Sequence, residues 1–138
     1  MRIVKGLGFL LAFIGVQDVS GQIITATPAF PVQTDSVIIT YDATLGSQGL
    51  MGFTGDVYAH TGVITNESTH SGDWKHAPAW GDNSAKYKLE RIATDLYQLR
   101  IVPGIDEYYG ILAGEVVKEL AFVFRSADTS KEGKTATG

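Results

Sequence analysis

The chain has no cysteine among its 138 residues, so neither a disulfide nor a thiolate-held metal is available to staple it. Charge is also scarce: 19% of residues are charged, below the usual quarter or so. What charge there is leans acidic, with 11 Lys and Arg against 15 Asp and Glu. Nucleic acids and anionic membranes both want a basic face, which argues against either as a partner. There is no Gly-x-Ser-x-Gly elbow, no phosphate loop and no cysteine nucleophile, so no cofactor is expected. Glycine, by contrast, is abundant at 16, and 44% of the residues are hydrophobic. That is enough apolar side chain for one domain with a core of its own.

The first residues read as a leader and not as part of the fold. Arg2 and Lys5 are basic, Gly6 to Val16 is apolar, and Val19-Ser20-Gly21 supplies small residues at a cleavage position before Gln22. Crossing a bilayer takes about 20 apolar residues, and Gln17-Asp18 end this run too early. The expected division is a signal peptide over 1–21 and a module over 22–138 of an exported protein, secreted or at the cell surface. No membrane contact is expected once the leader is gone.

From Gln22 onward, short alternating runs are punctuated by glycine, proline, asparagine and aspartate. Ile23–Ala26 reads as an edge strand stopped by Pro28 and Pro31, which cannot donate to a ladder. Val37–Tyr41 is β-branched and aromatic, and Val57–Val63 alternates. Tyr87–Ile92 and Leu96–Val102 form an expected hairpin through Ala93-Thr94-Asp95. Asp106–Glu115 is irregular with room for one helical turn, and Val117–Arg125 sets Leu120, Phe122 and Phe124 on one face. Nothing repeats at the helical period, and no strands alternate with helices. The expected architecture is an all-β, antiparallel immunoglobulin-like sandwich. Lys131–Gly138 is small and polar where such a sandwich adds a closing strand. The expectation is that the chain is a fragment of a larger secreted protein or takes that strand from elsewhere, the alternative being a simply frayed tail.

Alternation places Val57, Ala59 and Thr61 on the core side of their strand and leaves Tyr58 and His60 together on the other. The polar connection that follows, Thr65 to Ala85, holds Asp73-Trp74-Lys75-His76-Ala77-Pro78-Ala79-Trp80. An indole in such a loop needs something to bury it. Either the tryptophans fold back as plugs over the sandwich, or they form a platform for a flat, hydroxyl-rich ligand. In the second case the aromatic rings of Tyr58, Trp74 and Trp80 meet sugar C–H faces, and His60 with a polar neighbour such as Asp73 or Lys75 bonds the hydroxyls.

The phrase Asp56-Val57-Tyr58-Ala59-His60-Thr61-Gly62, then Trp74, then Leu120-Ala121-Phe122-Val123-Phe124-Arg125-Ser126-Ala127-Asp128 resembles small starch-binding modules. Those pair a V-Y-x-H-x-G strand with a downstream tryptophan and a late L-x-F-V-F-x-x-x-D-G strand and turn. Where that turn has Asp-Gly, this chain has Asp128-Thr129. Thr27-Pro28-Ala29-Phe30-Pro31 and Asp35–Ala43 also look like the start of N-terminal modules of secreted bacterial amylase-family proteins. The likeness covers most of residues 25–134. It implies a β-sandwich that binds α-glucan without catalysis through Tyr58, His60 and Trp74, with Trp80 as a further contact, and that tethers an attached enzyme. The expected partners are a polysaccharide or oligosaccharide, further domains of the same chain, or neighbouring subunits.

Other chemistries fit less well. His60, His70 and His76 match no usual zinc spacing. Glycoside hydrolysis needs two carboxylates across a deep cleft, and Asp106 and Glu107 read instead as solvated surface. Asn66-Glu67-Ser68 fits a glycosylation acceptor. Asp82, Asn83 and Asp128 have oxygens suited to calcium. The reading from a different class is an assembly module whose open sheet edge takes a neighbour's strand.

Overall fold

The computed structural model describes residues 2–4, by backbone alone, and 22–136. The apolar run and the small residues of the expected leader lie outside the described residues. Eight strands, a 3-10 turn and one α-helical turn follow in chain order: β1 Arg2–Val4, β2 Ile24–Thr27, β3 Val37–Asp42, β4 Val57–Thr65, the 3-10 turn Ala85–Tyr87, β5 Glu90–Ala93, β6 Leu96–Ile101, α1 Ile105–Tyr109, β7 Val117–Ser126 and β8 Glu132–Gly133.

They form two antiparallel sheets. One runs β2-β3-β6-β5; in the other, β7 pairs with β4 on one side and with β1 and β8 on the other. Leaving β1 aside, the first sheet takes strands in the A-B-E-D order of an immunoglobulin domain and the second in the order C-F-G. The expected β-sandwich is the fold. Its seventh position, read as empty from the sequence, holds the two-residue β8, which pairs Gly133 with Phe124 and Glu132 with Arg125. Farther along the same edge lies β1, pairing Val4 with Glu119 and Arg2 with Ala121. Residues expected to depart with a leader thus lie against the sandwich.

Apolar residues at every second position explain where the core sits. Val37, Ile39 and Tyr41 of β3 meet Leu120, Phe122 and Phe124 of β7, all fully buried. Tyr41 stacks on Phe124 with ring centroids 4.2 Å apart. Burying a side chain of this size is worth about 1.5–3 kcal/mol, which is why the middle of β7 sets Leu120, Phe122 and Phe124 on its inner face. The hairpin turns tightly, with Ala93 opposite Leu96 and Asp95 at φ +58°, a conformation aspartate accepts better than most residues.

α1 closes the end of the sandwich where β4 finishes. Tyr109 and Thr61 share a 2.7 Å hydroxyl–hydroxyl hydrogen bond, and Thr61 donates on to the Ala121 carbonyl. Burial holds both Tyr108 and Tyr109 phenols well above their ordinary range. Gly110, at φ +70°, terminates the turn in the left-handed region that suits glycine. No helix among the described residues is long and apolar enough to cross a membrane.

Candidate functional site

β7 is the central strand of its sheet and β4 the strand beside it, and their register decides what the outer face displays. Tyr58 lies opposite Arg125, His60 opposite Val123 and Gly62 opposite Ala121. This face is not left bare. The long connection after Thr65 returns to pair Lys75 with Val63 through two backbone hydrogen bonds of 2.9 and 2.7 Å. It then lies across the outer face before Leu89 rejoins the edge of β4 at Val57. Gly62 makes this approach possible: a Cβ there would sit 3.0 Å from the Ala77 Cβ and 3.2 Å from the Trp74 Cβ.

The connection delivers both indoles to His60. Trp74 stacks on the imidazole at 5.8 Å and 26°, while Trp80 meets it edge-on at 5.0 Å and 68°. Tyr58, expected beside them, is 8% exposed and lies beneath the Arg125 guanidinium at 5.4 Å. Trp80 is the open member of the group, at 48% exposure, whereas Trp74 and His60 are half-buried. The tryptophans therefore neither plug an end of the sandwich nor stand free in solvent. They roof its outer face.

Asp73 and Lys75 are committed to each other and to the loop. Lys75 Nζ is 3.2 Å from Asp73 Oδ2, which also accepts from the Thr69 amide and hydroxyl. Those bonds, the amide of Thr69 first, hold the Asp73 carboxyl below its usual range. His76, at φ +58°, bonds Glu115 at 2.8 Å, and Glu115 also takes the Leu112 amide at 2.7 Å. This pair pins the roof to the turn before β7.

Sequence reasoning missed Arg125. It is 1% exposed and, among the described residues, has no carboxylate bonded to it: Nη1 donates to Asn83 Oδ1 at 2.8 Å and to the Ser126 carbonyl, and Nη2 to the Asp82 carbonyl. Its guanidinium carbon lies 5.8 Å from the Trp80 ring. The signal was present in the alternation of β7, since Leu120, Phe122 and Phe124 facing in require Arg125 to face out. What the sequence did not show is that Tyr58 would be its partner across the ladder.

Two polar atoms of this cluster are buried without a partner, His60 Nδ1 and Arg125 Nε. Leaving such a group unpaired costs about 1–3 kcal/mol. Burial first, and then the nearby guanidinium, pull the His60 imidazole below its ordinary value. Burial likewise lowers Arg125.

The chain matches no known family model and no curated protein.

The remaining candidates from the sequence are scattered. Asn83 Oδ1 receives Arg125, and the Asp82 carboxylate accepts from Ser84. Asp128 accepts from Ser126 and Ser130, so these oxygens serve the fold instead of gathering round a calcium ion. Among the described residues no three of His, Asp or Glu come together as a metal-holding set. Asp106 and Glu107 sit side by side on the first turn of α1, where Asp106 Oδ1 accepts the Glu107 amide. Asn66 bonds the Gly114 carbonyl and the Val116 amide.

Proposed function

We propose that this chain is a non-catalytic carbohydrate-binding module for starch or related α-glucans, exported and tethering an attached enzyme to polysaccharide. One observation carries the reading: His60, Trp74 and Trp80 form a three-ring cluster on the outer face of β4, with Trp80 about half exposed. Sugar rings pack their C–H faces on such rings, and the cluster sits on the outer face of the paired strands β4 and β7. The V-Y-x-H-x-G phrase gains a physical sense: Tyr58 and His60 furnish the face, and Gly62 lets the tryptophan loop approach it. A shallow site of this kind binds at micromolar to millimolar strength, about −8 to −4 kcal/mol, and gains by repetition along a polymer. Co-sedimentation with granular starch, with cellulose as control, tests it. The wild type sediments with starch alone, and Trp74→Ala binds at least about tenfold more weakly while keeping its fold. A folded Trp74→Ala protein with unchanged affinity would sink the assignment.

A second reading rests on the edge of β7. There β8 covers only Phe124 and Arg125, and a separate short strand covers Glu119 to Ala121. An edge served by two fragments suits a module that accepts a strand from a neighbouring subunit. Size-exclusion chromatography of residues 22–138 discriminates: a stable monomer removes the reason for this reading, and a dimer supports it.

A further inference from the structure

Three buried side-chain atoms without partners occur among the described residues: Tyr41 Oη, His60 Nδ1 and Arg125 Nε. The first is sealed in the core, where a Cβ on Gly133 would fall 1.8 Å from the phenol oxygen. The other two lie on the outer face beside one indole, that of Trp80, whose ring is 5.0 Å from the His60 ring and 5.8 Å from the guanidinium. Trp80 is thus a half-exposed apolar roof over an unsatisfied polar floor. Trp80 is followed by Gly81 at φ +91°, with only the Thr129 methyl near the place a side chain would occupy. The fold has already engaged Arg125 Nη1 and Nη2, so the guanidinium is fixed while its Nε–H is left over.

We infer that a sugar ring enters beneath the Trp80 indole and uses two neighbouring hydroxyls to satisfy Arg125 Nε and His60 Nδ1. The inference rests on the carbohydrate reading and adds Arg125 as a ligand contact and Trp80 as a cover that moves. Arginine can only donate, whereas a neutral imidazole protonated on Nε2 accepts at Nδ1. A vicinal diol answers both, accepting from one and donating to the other, while its apolar face meets the indole. An apolar ring would leave both nitrogens unpaired. A simple anion would satisfy the arginine and offer His60 no proton.

The His60 position allows a test that burial alone would not produce. An asparagine amide can stand at the place of Nδ1, whereas a glutamine amide reaches to that of Nε2. In calorimetric titration of the full chain with maltoheptaose both variants should bind more weakly than wild type for want of the ring, and His60→Gln about tenfold more weakly than His60→Asn. Thermal midpoints of the two variants should be alike. Arg125→Lys, which keeps the charge and loses the Nε donor, should also bind about tenfold more weakly. If it does not fold, the His60 pair decides alone. Equal binding by His60→Asn and His60→Gln overturns this inference and leaves the carbohydrate reading standing. A wild type that takes up no maltoheptaose overturns both.

Discussion

The two faces of β7 use aromatic residues to opposite ends. On the inner face Phe122 and Phe124 lie fully buried against Tyr41, and Gly133 shuts the remaining gap. On the outer face Arg125 and its neighbours across the ladder, Tyr58 and His60, are roofed by two tryptophans from a loop, one of them half exposed. The inner face owes its order to the hydrophobic effect, and its single unpaired phenol is beyond the reach of solvent. Among the described residues the outer face has two unpaired nitrogens, and they lie beneath a half-exposed indole. Aromatic content alone does not tell a core from a site; what separates them is whether unsatisfied polar atoms lie beneath a ring that is open to solvent.

The comparison breaks most visibly if the same truncation costs the same on both faces. Phe124→Ala should destabilise the protein by about 3–5 kcal/mol, and Trp80→Ala by less than about 1 kcal/mol, in urea unfolding followed by circular dichroism. Equal losses would mean that Trp80 is core. Gly133→Ala comes next, at about 1–3 kcal/mol, because the new methyl collides with the Tyr41 hydroxyl while the outer face is untouched. Thermal unfolding should show that loss with starch binding retained.

A smaller effect of opposite sign is expected in the turn beside Gly81. Thr129 holds φ +64° where the starch-binding pattern has glycine, a strained conformation for a β-branched residue. Thr129→Gly should raise stability by about 0.5–1 kcal/mol, and a lower melting temperature would contradict this. The smallest effect concerns Asp128 in the same turn. Hydrogen bonds from Ser130 and Ser126, the Ser130 hydroxyl first, lower its carboxyl to about 2. A depressed carboxyl stabilises the fold above its unfolded value near 3.8 and loses that contribution as the pH falls toward 2. Asp128→Asn should therefore flatten the stability profile between about pH 4 and pH 2 and leave it unchanged in shape near neutrality.

The inner face was largely legible in the sequence, and the outer face was legible only in pieces. Leu120, Phe122 and Phe124 announce their burial by period-two alternation, and Val37–Tyr41 by β-branching. Local chemistry settles these without knowledge of partners. Tyr58 and His60 could be placed on one face for the same reason. That Trp74 and Trp80 would both return to His60 depends on backbone pairing between Val63 and Lys75, which no local pattern encodes. Arg125 was overlooked because a charged residue facing out reads as solvated surface, and only the cross-strand register buries it under Trp80. The strand at Glu132–Gly133 escaped notice because two residues carry no period, and glycine there reads as loop when its purpose is to clear Tyr41.

The most direct test of the outer face as a sugar site is a titration of the protein with maltoheptaose, following tryptophan fluorescence, with a cello-oligosaccharide of the same length as control. A saturable change is expected with the α-glucan alone, since an indole lies at the proposed site. Silence with both sugars would contradict it and make the two tryptophans a second, outer layer of core.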